Sequence, residues 1–169
     1  MPSAAKNKGS QFERHVAKQL TDLFGESFIR VINSGAYIGG INTQRKNQLS
    51  EAQIRHNKGD ITPGPSFPKM NAEAKSYKDF PFHQLFTSNS KILDTWIEQM
   101  LTVADPGDFN ILFMKFNRKG QFVLVPHDTH WDPTPSSFTY KSQRHQVWQM
   151  FELTEFLIKN QARIRQLCS

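Results

Sequence analysis

The chain has 169 residues, 37% hydrophobic and 21% charged, which is enough to bury the core of one domain and too apolar for a disordered tail. Its 21 Lys and Arg against 15 Asp and Glu give a net charge of +6, which suits a polyanionic partner, nucleic acid before acidic membrane. The longest apolar runs, Ile111-Leu112-Phe113-Met114 and Phe122-Val123-Leu124-Val125, are too short to span a bilayer, and the lone Cys168 excludes a disulfide scaffold or a Cys-based zinc site. The first residues show no apolar stretch behind a positive charge, so no secretory signal is expected. These readings point to a soluble, cytoplasmic protein of a reducing compartment.

In chain order, Phe12, Val16, Leu20, Leu23 and Phe24 recur at helical spacing and predict a helix from about Ser10 to Phe24. Ser10-Gln11-Phe12-Glu13 reads as a capping box and Gly25 as the stop. A short β-prone run, Phe28 to Ile32, ends at Asn33-Ser34-Gly35. Residues 36–59 are polar and basic, with Arg45, Lys46, Arg55 and Lys58 against Glu51, and read as an inserted arm. Gly59-Asp60-Ile61 leads through a Pro-Gly-Pro turn to a strand near Lys69 to Ser76.

Residues 77–90 read as connecting chain. Leu93, Trp96, Ile97, Met100, Leu101 and Ala104 line one face of a second helix, closed by Asp105-Pro106-Gly107. Two apolar strands, about 110–116 and 121–125, follow with a hairpin between them. Residues 126–143, with Pro126, Pro133 and Pro135, predict a surface loop. Residues 144–169 predict a C-terminal helix anchored by Trp148, Phe151, Phe156, Leu157 and Ile164. The whole reads as one α/β domain, a mixed central sheet flanked by helices.

The chemistry concentrates in Glu13, Asp60 and the triplet Glu73-Ala74-Lys75. On a strand Glu73 and Lys75 share a face, while Ala72 and Ala74 face the other side, small enough to lie under a helix. Asp60 precedes Glu73 by a distance that lets it return as the neighbouring strand of a hairpin. Clustered carboxylates raise one another's pKa unless a cation neutralises them, and oxygen-only ligands suit Mg²⁺. A lysine beside them could orient or deprotonate an attacking water, or stabilise the charge of a pentavalent phosphorane. On a basic chain this set spells phosphodiester hydrolysis.

Taken singly, each residue has a plainer reading: Glu13 as the partner of Ser10 in the capping box, Asp60 as a turn residue, Glu73 and Lys75 as a solvated strand face. His127, Asp128 and His130 read as incidental loop residues rather than a metal site, and Trp96 and Trp148 as core. Tyr77, Phe80 and Phe82 are open between core and base-stacking roles, because they directly follow the Glu73–Lys75 strand.

Helix-Glu, then Gly-Asp-Ile, then Glu-x-Lys on a strand resembles the PD-(D/E)XK nuclease superfamily. Within it, Lys8-Gly9-Ser10-Gln11-Phe12-Glu13-Arg14, Arg30 with Ser34-Gly35, and Ala72-Glu73-Ala74-Lys75 are similar to archaeal-type Holliday junction resolvases. The resemblance covers roughly residues 6–126. It implies a restriction-endonuclease-like fold, metal ligation by Glu13, Asp60 and Glu73, a catalytic Lys75, and Ser34 near the scissile phosphate. Two departures stand out: Gly59-Asp60 replaces the family's Pro-Asp or Val-Asp, and the 36–59 arm is longer than usual.

The resulting expectation is a Mg²⁺-dependent endonuclease, with Mn²⁺ as a substitute, cutting branched or double-stranded DNA and most specifically resolving Holliday junctions as a homodimer. Lys6, Lys8, Arg14, Arg30, Arg45, Lys46, Arg55, Lys58 and Lys78 are the expected phosphate contacts. The alternatives are a nickase or end-processing nuclease, a catalytically silent DNA-binding module, and an RNA-binding accessory protein. The compact length would suit a virus-encoded enzyme.

Overall fold

The computed structural model describes residues 4–31 and 58–169. The expected arm therefore lies almost entirely outside the described residues, together with Ser34, Arg45, Lys46 and Arg55.

Helix α1 (Ala4–Phe24) begins before the expected start, so Ser10 and Glu13 sit inside it and do not form an N-terminal capping box. The helix ends where expected, at Gly25, whose φ of +70° turns the chain out of helical geometry. Strands β1 (Ile29–Arg30) and β2 (Ile61–Thr62) are each two residues long, and β3 (Met70–Tyr77) follows. A short helix α2 (His83–Phe86) lies within the expected connection, and α3 (Lys91–Thr102) carries the predicted apolar face. The chain then forms β4 (Phe109–Phe116), β5 (Gly120–Pro126), β6 (Ser137–Lys141) and β7 (Val147–Glu152), and ends in α4 (Leu153–Lys159) and α5 (Gln161–Cys168).

Among the described residues, the strands form one mixed seven-stranded sheet in the order β1-β2-β3-β4-β5-β7-β6. Only β3 and β4 run parallel, and α3 lies in the crossover that such a pair requires. Helices flank the sheet, the α/β architecture expected from the sequence. Between β4 and β5, Arg118 and Gly120 both take positive φ, the backbone a tight hairpin needs.

Two parts of the C-terminal half differ from expectation. Residues 126–143 contain β6, and the predicted helix over 144–169 begins as β7. Trp148 and Phe151 are three apart, which mimics a helical stripe. Their surroundings decide otherwise: Trp148 and Met150 enter one core, while Phe151 enters the other. The Tyr140 hydroxyl of β6 donates to Asp94 of α3 at 3.0 Å, and Ser142, just past the strand, donates to the same carboxylate at 2.8 Å. These bonds satisfy a buried acid and fasten β6 to α3, a tertiary constraint that local sequence does not announce.

The sheet separates two apolar cores. On one face Phe12, Val16 and Leu20 of α1 pack with Ala72, Ile111 and Phe113, joined by Phe156 and Ile164 of the last helices. On the other, Leu93, Trp96, Ile97 and Met100 of α3 pack with Leu112, Met114, Tyr140 and Trp148. Full burial of a side chain of Phe or Leu size is worth about 1.5–3 kcal/mol, so α1 is held to the sheet mainly by its stripe. Ala72 and Ala74, both buried, let it approach the backbone of β3 closely.

Candidate active site

The site is built where β2 begins. Ile61 pairs with Ala72, and the chain before it turns sharply at Gly59, whose φ is +66°. A side chain there would run into the Ala72 carbonyl oxygen, so this approach requires glycine. The turn holds Asp60 against β3 by two bonds: the Asp60 amide donates to Ala72 O at 2.8 Å, and the Ala74 amide donates to Asp60 Oδ2 at 2.9 Å. Asp60 thus takes the place of a pairing strand alongside Glu73-Ala74-Lys75.

Glu73 and Lys75 face the α3 side of the sheet, in register with Leu112 and Met114, while Ala72 and Ala74 face α1 as expected. Lys75 Nζ lies 2.6 Å from Glu73 Oε1, with both side chains largely buried. Burial pushes the Glu73 carboxyl up to about 7; the charge of Asp60 and a hydrogen bond with it push the same way, and Lys75 pulls back. Burial opposes a charged Lys75, but Glu73 and Asp60 outweigh it and raise the ammonium above its usual value. Glu13, on α1, is also raised, first by burial and then by Asp60, against the opposing hydrogen bond from Arg30. Asp60 and Lys75 therefore act on both Glu13 and Glu73, which links groups from a helix, a turn and a strand.

Arg30 was expected to contact phosphate. The structure pairs its guanidinium with the Glu13 carboxylate, with only 22% of its side chain exposed. Lys58 departs further from that expectation. Its side chain is 9% exposed, with Nζ 2.9 Å from Asp105 and paired also to Asp108, so it braces the α3–β4 turn and is no surface phosphate ligand. Lys8, Arg14 and Lys78 are exposed. The side chain of Lys6 lies outside the described residues. His130 and Asp128 pair with each other, and Asp128 also accepts from Arg163, which makes this loop a structural clamp.

Sequence reasoning missed the Glu13–Arg30 pair and the positional role of Gly59. The first had no local signal, since its members are 17 residues apart. The second had one, a glycine directly before the acid.

Among the described residues, no three His, Cys, Asp or Glu side chains already form a metal-binding group. The chemistry of Asp60 and Glu73 nevertheless fits a hard divalent cation. Their oxygens adjoin in a buried place where the mutual repulsion is only partly offset by Lys75, and such ions keep water and substrate oxygens in their remaining positions. Glu13 is committed to Arg30 and would join a metal only by leaving that pair or acting through water.

A mixed sheet with an acid at the end of one strand and Glu-x-Lys on the next defines the PD-(D/E)XK type of nuclease. The chain matches the family model described as "Phage putative PDDEXK endonuclease" over residues 4–166, and it belongs to that family. DNA is the substrate class such a family implies. No curated protein and no solved structure matches the chain. Among the described residues, no helix is long and apolar enough to cross a membrane.

Proposed function

We propose that the protein is a divalent-metal-dependent endonuclease of branched DNA, with the four-way Holliday junction as its first substrate. The observation that carries this reading is the Asp60–Glu73–Lys75 arrangement at the open end of the β2–β3 pair. Asp60 and Glu73 would hold Mg²⁺ or Mn²⁺, with Glu13 beside them. The ion would supply Lewis acidity toward the phosphate and a more acidic water.

Lys75 keeps its proton, held by Glu73 and Asp60, so it acts as a charged donor rather than a base in the resting protein. It orients water and donates to the non-bridging oxygens as negative charge grows. The water oxygen bonds to phosphorus as the P–O3′ bond breaks, leaving a 5′-phosphate and a 3′-hydroxyl. Lys8, Arg14 and Lys78, exposed in the structure, are candidates for backbone contacts, with Lys6, Arg45, Lys46 and Arg55 proposed beside them, and Ser34 is proposed near the scissile phosphate. A homodimer would match the two equivalent strands of a junction. The phage family fits a virus-encoded enzyme, and debranching of DNA is the task this reading assigns to it.

The deciding assay compares four-way junction, duplex and single-stranded DNA with Mg²⁺ and with chelator. Junction cleavage that needs the metal and is lost in Glu73→Ala and Lys75→Ala, while both variants still bind, supports the reading. Full cleavage by either variant removes the assignment. Equal cleavage of junction and duplex reduces it to a general nuclease or nickase.

A further inference from the structure

Resting on that reading, we infer that Tyr77 is a stacking platform for an unpaired base beside the scissile phosphate, so that the enzyme selects DNA with exposed bases. Glu73, Lys75 and Tyr77 occupy alternate positions of β3 and project from one face, each roughly 7 Å from the next. The metal-ligating acid, the lysine and the aromatic ring thus stand in a row. A strand whose phosphate lies at Lys75 would bring a neighbouring nucleotide over Tyr77.

The ring is both available and held. Tyr77 is 44% exposed, although it lies against the otherwise buried Trp96 with centroids 4.8 Å apart. Trp96 in turn packs on Phe80 at 5.9 Å and on Phe116 at 6.4 Å. A platform fixed from beneath loses little rotamer freedom when a base settles on its open side.

Charge surrounds it. Lys78 is the next residue and is exposed. The β4–β5 hairpin is fastened to the same place, its Asn117 amide donating to the Tyr77 carbonyl at 3.2 Å. That loop presents the exposed Arg118 and Lys119, with Lys119 steadied by Asp79 at 2.5 Å. An aromatic ring framed by cations is the arrangement that grips unstacked nucleotides, the ring taking the base and the cations the backbone. A continuous duplex hides its base faces, whereas branch points, nicks and forks expose them.

The test uses the whole protein in chelator, where cleavage cannot interfere. Forked DNA carries 2-aminopurine at one of the first three unpaired positions, and a continuous duplex with the same base serves as reference. The wild type is expected to quench 2-aminopurine at one fork position and not in the duplex. Tyr77→Phe keeps the ring and the quench. Tyr77→Leu keeps Trp96 covered without a π-face, so it folds with the wild-type far-ultraviolet spectrum, loses the quench and binds the fork about tenfold more weakly or worse. Wild-type quenching by Tyr77→Leu, or none by the wild type, overturns the inference. Tyr77-dependent quenching by a protein that cleaves nothing with Mg²⁺ or Mn²⁺ overturns the nuclease reading and, with it, the placement beside a scissile phosphate, leaving Tyr77 as a base-stacking residue alone; cleavage without Tyr77-dependent quenching overturns this inference and keeps the nuclease reading.

Discussion

Asp60 accepts the backbone amide of Ala74 at 2.9 Å, in the centre of the Glu73–Lys75 triplet. One carboxylate oxygen is thereby spent on positioning, and the acid cannot drift from the strand whose side chains it must serve. The bond replaces a sheet hydrogen bond, so sheet geometry itself sets the spacing between Asp60 and Glu73.

That bond depends on Gly59. Gly59→Ala would force a methyl group toward the Ala72 carbonyl at a backbone conformation unfavourable to L-residues. Its expected cost is about 2 kcal/mol or more in chemical denaturation. Nuclease activity should fall further than stability, because Asp60 moves with the turn.

The Glu73 carboxyl, raised to about 7 from 4.5, carries a sign. Between these values the folded metal-free protein binds the proton and the unfolded chain does not, so stability falls as pH rises through that window. Melting of the chelated protein should show this fall, and Glu73→Gln should flatten it. Divalent ions need the ionised form, so Mn²⁺ affinity measured by calorimetry should increase from pH 6 to pH 8 with proton release. A pH-independent affinity would rule out Glu73 as the metal ligand proposed above.

Lys58 makes the opposite case, a cation that serves the fold. Lys58→Ala leaves the Asp108 side chain, 6% exposed, without its ammonium partner. Loss of about 3 kcal/mol is expected in urea unfolding. The salt dependence of DNA binding, which reports phosphate contacts, should keep its wild-type slope.

Asp128 predicts acid behaviour far from the site. Partial burial works against its ionisation, yet Arg163 and His130 prevail and hold the carboxyl at about 2, against 3.8 ordinarily. The stabilisation is present above about pH 4 and disappears as pH falls toward 2. Asp128→Asn should melt earlier than wild type at pH 7, with the gap closing by pH 2.

The helices α1 and α3, the β4–β5 hairpin and the shared face of Glu73 and Lys75 were legible because each rests on short-range pattern: apolar stripes, alternating strands and a two-residue side-chain period. What escaped depends on distant partners. Trp148 and Phe151 have helical spacing, and only the pairing of β7 with β5 and β6 makes them strand residues. Lys58 reads as a surface cation until the α3–β4 turn brings Asp105 and Asp108 to it. Glu13 fits a capping box until α1 extends toward its N-terminus and Arg30 arrives from β1. Charge on its own does not reveal whether its partner is a phosphate or a buried carboxylate.

The short β1–β2 pairing has one more consequence. The Val31 amide donates to the Asp60 carbonyl at 2.9 Å, so the end of β1 is fastened to the turn that carries Asp60. Arg30, one residue earlier, pairs in register with Ile61 and reaches Glu13 of α1, while Asp60 on the same unit accepts from Ala74 of β3. A displacement of this two-stranded unit would therefore disturb the Glu13 pair and the Asp60–Ala74 bond together, so the helix side and the strand side of the site are tied to one small lever.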